Sequence, residues 1–265
     1  MINIQNENYI KRKFTKFIEN DPRNVLHDYN NMKIYDAPLI GIASANDPYF
    51  EEFRKPNIIG PKFILPNEWL PGANSIISFF LPLTKELRDT NRNIGLPSEE
   101  WVSERIEGQV FIDAAHAFLI ELLKGLDSEA VAPSIDLRFQ VEDRISNWSE
   151  RHIAFAAGLG TFGLHRALIT AKGTAGEIGS VITTLSLTPT LRPYTRYDEY
   201  CPFLTSGKCG ACIRRCPPVS INEKGKDNQL CSEYIDREIL SRFFPRYGCG
   251  KCNINVPCEN KIPVI

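Results

Sequence analysis

The first 200 residues contain no cysteine, and all eight fall between Cys201 and Cys258. No apolar run approaches the ~18 residues needed to cross a bilayer. The N-terminus, MINIQNENYIKRKF, lacks an apolar stretch after its charges and carries no twin-arginine pair, which excludes a secretory signal. A formal net charge of −1 argues against a nucleic-acid partner bound mainly through phosphate neutralisation. Together these absences lead us to expect a cytoplasmic protein in a reducing compartment, with no membrane association. Disulfides fit that setting poorly, and a chain of 265 residues does not need them as staples.

What is present is a pattern in the cysteines. The first group reads Cys201-x7-Cys209-x2-Cys212-x3-Cys216-Pro217. The second reads Cys231, then Cys249-x2-Cys252-x5-Cys258. A C-x2-C-x3-C-P run is the bacterial ferredoxin spacing, in which three cysteines hold one [4Fe–4S] cube and the fourth crosses to the other. The crossing arrangement pairs Cys201, Cys209, Cys212 and Cys258 on one cluster. Cys216, Cys231, Cys249 and Cys252 then hold the second. Gly210 and Ala211 let the backbone bend close to the sulfides, as does Gly250, and Lys251 is expected to point away. The gaps after Cys201 and before Cys258 are wider than in the simplest ferredoxin. Two zinc sites of four thiolates each remain a rival, because C-x2-C also suits tetrahedral zinc.

Upstream, the spacing of Tyr9, Ile10, Phe14, Phe17 and Ile18 predicts an amphipathic helix over residues 7–19, packed on the body. Leu39–Ile42 and Ser75–Leu81 read as buried strands. Ser98 caps a helix that runs through Phe111, Ala115, Phe118, Leu122 and Leu126 on one face. Ser149 caps a second helix to Ala157. Strands follow at Ala167–Thr170 and Ile178–Leu185. Strands and helices mix without doubly wound alternation, which predicts an α+β fold. The composition shifts at residues 189–200, so we expect an N-terminal arm (1–30), a main domain (31–195) and a cysteine module (196–265).

Gly158, Gly160 and Gly163 match G-x-G-x-x-G, but a helix precedes them and a strand follows. That context is inverted for a nucleotide site and offers a phosphate the wrong end of the helix dipole. The glycines then form a tight loop against a neighbouring element or a flat cofactor. Trp148, Phe155 and Phe162 line such a cofactor or pack in the core. Arg214, Arg215 and Lys251 offset cluster charge or are simply solvated. His152 and His165 flank the loop, as cobalt ligands or proton shuttles, or as structural hydrogen-bonding residues.

The stretch Ser149–Gly163 (SERHIAFAAGLGTFG), with Leu168–Thr170 and Gly179–Ile182, resembles the epoxyqueuosine reductases. Corrinoid reductive dehalogenases share a related Ala-Gly-Leu-Gly segment. Leu70–Ile77, Cys231–Tyr234 and Tyr247–Cys249 extend the likeness. The resemblance implies a nitroreductase-like α/β domain binding a corrinoid (cobalamin), fed with electrons by a ferredoxin-like module with two [4Fe–4S] clusters. Flavin is the other cofactor such folds hold. It puts Arg151, Gly158, Gly160, Gly163 and His165 at the cofactor. Arg151 alternatively forms an ion pair with Glu150. The family's acidic proton donor lies about six residues before the Glu-Arg pair. Here that offset falls on Arg144, and the nearest acids are Asp143 and Glu142. The family's Asp-Tyr-His segment is missing, with Ala114 and Ala115 preceding His116. The family's helical repeat region is also missing, which argues against a tRNA substrate. The implied activity is reduction of a small organic substrate, with ferredoxin or flavodoxin as electron donor. The alternative is an electron-transfer protein that reduces a partner enzyme or a partner's corrinoid.

Overall fold

The computed structural model describes residues 2–264. The chain opens with helix α1 (Ile2–Asn20), whose Ile10, Phe14 and Ile18 recur every four residues and are fully buried. That stripe seats the helix on the body as its pattern predicts. Strand β1 (Leu39–Ser44) follows, then β2 (Ser75–Pro82), in which every residue is buried. Helix α2 (Glu99–Lys124) starts where Ser98 Oγ accepts from the Trp101 N–H at 3.2 Å. Glu99 and Glu100 lie at its positive end and Lys124 at its negative end, as the dipole favours. Its fully buried stripe runs through Gly108, Phe111, Ala115, Leu119 and Leu123, while Phe118, Leu122 and Leu126 are only half-buried.

Next come β3 (Ala130–Val131), the hairpin β4 (Val141–Glu142) and β5 (Ile145–Ser146), and helix α3 (Glu150–Ala156). The expected Ser149 cap is absent. Its hydroxyl lies 2.8 Å from His152 Nδ1 instead of binding a backbone N–H. A second hairpin, β6 (Gly160–Phe162) and β7 (Leu168–Thr170), leads to β8 (Gly176–Thr183). The main sheet has the order β1-β2-β8-β3 and is antiparallel throughout, so the fold mixes helices with one antiparallel sheet.

Strand β2 shows why the sheet is covered on both sides. Ile77, Phe79 and Leu81 enter the core built with α1 and α2. Ile76 and Phe80 enter the opposite core with Trp148 and α3. Side chains alternate across a strand, so two apolar faces demand two covering layers.

Beyond residue 195 come the short helices α4 (Pro202–Ser206) and α5 (Ala211–Arg215), then α6 (Asn228–Tyr234), which continues through a π-helical stretch (Ile235–Leu240) to Ser241–Phe243, and a single turn at Lys251–Asn253. This segment is bound into the body. Ile239 and Ile254 share the α1–α2 core. Leu164 and Ile169, from the second hairpin, pack with Cys201, Cys212 and Ile221. Among the described residues no helix is long and apolar enough to cross a membrane.

Candidate metal centre and the glycine hairpin beside it

The cysteines are presented by tight backbone. Cys209 and Gly210 both have positive φ, at 109° and 62°, which turns the chain so that Cys212 enters α5 facing inward. Gly250, at φ 63°, performs the same turn between Cys249 and Cys252. A Cβ there would come within 2.0 Å of the Trp101 ring, so glycine lets the turn lie flat on α2. All eight thiols are free of disulfide bonds.

Cys201 and Cys212 pack with Cys216, Cys252 and Cys258 around Leu164, Ile169 and Ile221. Cys258 is pushed up to about 12 by burial and by the charges of Cys212, Cys201 and Cys209. Cys249 is likewise pushed up to about 12 by burial, with Cys252 and Cys231 as its thiolate neighbours. Cys252 is raised by burial and then by Cys231 and Cys216. Cys212 is raised by burial and then by Cys252 as well as by Cys201 and Cys209, so the thiols form one continuous patch. A thiol raised by burial and like charge needs cationic metal to ionise. Among the described residues, no three His, Cys, Asp or Glu side chains converge on a point that holds a single metal ion.

Several residues that hold this centre carry no motif. Glu259, next to Cys258, is buried and receives Arg88 Nη1 and Arg92 Nη2, both at 2.7 Å. The Cys258 carbonyl accepts from the Thr174 N–H at 2.9 Å. Lys251 does not point away as expected. It is buried, and its ammonium donates to the carbonyls of Asn91 and Asn93 and to Asn93 Oδ1. Arg215 donates to the Asn91 and Asn93 carbonyls too, and Arg214 to the Cys209 carbonyl. These cations stitch backbone together and do not contact sulfur. The signal for them lies in distant loops, which spacing alone does not reveal.

The glycine motif follows a helix and opens a strand, the inverted context expected from the sequence. Its glycines serve the protein's own packing. A Cβ on Gly160 would lie 2.1 Å from the Ile169 carbonyl oxygen, across the hairpin. A Cβ on Gly163 would lie 2.7 Å from His165 Cε1. Gly158 has φ 82° and faces Thr190 and Leu191. His165 has both ring nitrogens engaged, Nδ1 with the Ala167 N–H at 3.1 Å and Nε2 with Cys258 Sγ at 3.5 Å. Neither is left to ligate cobalt. Of the five residues expected at a corrinoid, only Arg151 stands open to solvent, donating Nη1 to the Arg166 carbonyl at 2.8 Å. It makes no ion pair with Glu150. Trp148 and Phe155 are core residues, Trp148 stacked on Phe63 with centroids 5.5 Å apart.

The expected acids lie at the surface. Asp143 and Glu142 lie on the exposed β4–β5 hairpin, where Asp143 and Arg144 take the positive φ of the turn and Glu142 pairs with Lys62. Glu150 differs: its Oε1 is buried with no hydrogen-bond partner among the described residues. Its carboxyl is pushed up to about 8 by desolvation, and Oε2 accepts from Ser180 Oγ at 2.6 Å. Glu104 is also buried and raised to about 7, accepting from Tyr35 OH at 2.7 Å.

No family model matches the chain. It is 27% identical over 223 residues to the epoxyqueuosine reductase of Francisella cf. novicida, an alignment covering 77% of this chain and 58% of that protein. Against the epoxyqueuosine reductase of Vibrio cholerae the identity is 25%, covering 75% of this chain and 53% of the relative. An epoxyqueuosine reductase solved with an epoxyqueuosine-modified tRNA stem loop superposes at TM-score 0.55 and 17% identity, over 95% of this chain and 65% of that one.

The chain is similar in sequence to the epoxyqueuosine reductases.

It spans about half the length of the curated epoxyqueuosine reductases it matches. It also shares its fold with a reductive dehalogenase described as B12-dependent, at TM-score 0.55 and 14% identity, over 85% of this chain and 30% of that one.

Proposed function

We propose that this chain is an iron–sulfur oxidoreductase. Cys201, Cys209, Cys212 and Cys258 hold one [4Fe–4S] cluster, and Cys216, Cys231, Cys249 and Cys252 hold the other. Single electrons pass from a ferredoxin or flavodoxin through both clusters to an acceptor on the face that carries Arg151. The acceptor is a corrinoid, the chemistry named for the dehalogenase relative, and the final substrate is a small organic molecule. The observation that supports this reading is the C-x2-C-x3-C-P spacing together with the packing of Cys201, Cys212, Cys216, Cys252 and Cys258, distant in sequence, around Leu164, Ile169 and Ile221. Zinc draws its donors to about 2.0–2.3 Å of one ion. The Cys209-x2-Cys212-x3-Cys216-Pro217 spacing is the feature that favours an iron–sulfur core over zinc.

The cluster ligands fit their group. The corrinoid residues fit only in part, because Gly160, Gly163 and His165 are buried against the protein itself. A corrinoid, when bound, would supply a cobalt centre able to take up these electrons. The chain's own residues would hold the clusters close together, shield them from water and present the Arg151 guanidinium to an anionic or carbonyl group. The occupied glycines favour a second reading, an electron-transfer protein that reduces a partner.

Titrating anaerobically reconstituted protein with cobalamin, followed by absorbance, separates the two. A saturable change in the corrinoid bands at micromolar concentration is expected. No change would move the assignment to the carrier. Binding of an epoxyqueuosine-modified tRNA stem loop would overturn the small-molecule substrate.

A further inference from the structure

We propose that His165 tunes the cluster held by Cys258, by donating a hydrogen bond from its Nε2–H to the Cys258 sulfur. The inference rests on the iron–sulfur reading and deepens it. Its first support is the tautomer. Nδ1 accepts the Ala167 N–H at 3.1 Å, and a ring nitrogen that accepts carries no proton. The neutral imidazole therefore bears its proton on Nε2, which lies 3.5 Å from Cys258 Sγ. That length is ordinary for an N–H donor to sulfur.

Both ends of the bond are fixed. The His165 ring is 3% exposed and lies against Gly163, where any Cβ would come within 2.7 Å of Cε1. Gly163 thus explains itself: it is the floor under the ring. Cys258 is held by the Thr174 N–H on its carbonyl and by its neighbour Glu259, gripped by Arg88 and Arg92. On the other group, Cys216 Sγ accepts from the Ser220 N–H at 3.2 Å, with Ser220 Oγ 3.1 Å away. Each group therefore has its own donor, and each can be altered separately.

The physical effect has a definite sign. Reduction adds negative charge to the cluster, and a donor on a ligand sulfur stabilises that charge. His165 therefore raises the reduction potential of its own cluster. It is a positioning residue for electron transfer and touches no substrate.

The test uses the full chain, reconstituted anaerobically, with redox titration followed by electron paramagnetic resonance. In His165→Leu, the Cys258 cluster should become harder to reduce. The reduced-to-oxidised ratio at fixed potential should fall about tenfold, equivalent to about 59 mV for a one-electron couple. The second cluster should not move, and His165→Gln, which keeps an N–H donor, should recover part of the shift. Unchanged midpoints with full iron content, or equal shifts in both clusters, would overturn the proposal. If His165→Leu fails to retain iron, the unaltered protein labelled with 15N-histidine decides by electron–nuclear double resonance. One histidine nitrogen and one exchangeable proton should couple to a reduced cluster, and absence of both overturns the inference. A native chain that binds no iron would instead sink the iron–sulfur reading itself.

Discussion

Glu150 keeps a proton that a surface glutamate would lose. Its ordinary value of 4.5 rises to about 8 because burial penalises the charged form. Between those pH values the folded chain holds a proton that the unfolded chain has released, so stability falls as pH rises through the window. At about 1.4 kcal/mol per pH unit the loss reaches up to about 5 kcal/mol. Glu150→Gln should flatten the dependence, read by denaturant unfolding at pH 5 and pH 8. Parallel pH dependences would show that Glu150 does not titrate in this way. Lys251 makes a different contribution at the same scale, tying the turn between Cys249 and Cys252 to the carbonyls of Asn91 and Asn93. Lys251→Met should cost about 1–3 kcal/mol, the range for buried polar groups left short of a partner. Loss of iron to a chelator should also quicken. An unchanged unfolding midpoint and release rate would mean that Arg215 alone is sufficient there.

Elements whose instructions are local were legible in the sequence. The helix after Ser98 begins with its cap, its acidic first turn and its apolar face, all within a few residues of one another. The two long strands were legible because mostly apolar stretches bounded by turns have few other solutions, although the second, expected at Ile178–Leu185, lies at Gly176–Thr183. The glycine motif shows what was hidden. Its inverted context was visible, but not that Gly160 closes the β6–β7 hairpin or that Gly163 supports a histidine, because both contacts are made across space. Likewise Arg151 and Glu150 are neighbours in sequence that the helix sends to different surroundings, one open to solvent and one into the core. Gly160→Ala should destabilise the chain by about 3 kcal/mol, the upper range for overpacking, since the obstacle is the Ile169 backbone oxygen at 2.1 Å. Gly207→Ala provides the contrast. Gly207 has φ 71° with open space around it, so only backbone strain of about 1 kcal/mol applies. Equal losses from the two substitutions would show that the hairpin contact is not tight.

The whole molecule couples its cysteine segment to its sheet. Ile239 and Ile254 complete the core under α1 and α2, and Glu259 is held by Arg88, from the short helix Lys85–Thr90, and by Arg92 just beyond it. This explains why the expected boundary near residue 195 separates compositions more clearly than it separates structure. It also brings Cys201 and Cys212 together with Cys252 and Cys258, distant in sequence, and the proposal that the eight cysteines hold two clusters is the claim on which the functional account depends. The most direct test is iron and sulfide analysis of the anaerobically reconstituted chain beside Cys258→Ser and Cys231→Ser. The account predicts about eight irons and eight sulfides in the parent and about four of each in either variant, because each removes a ligand from a different cube. A colourless protein carrying stoichiometric zinc would contradict it.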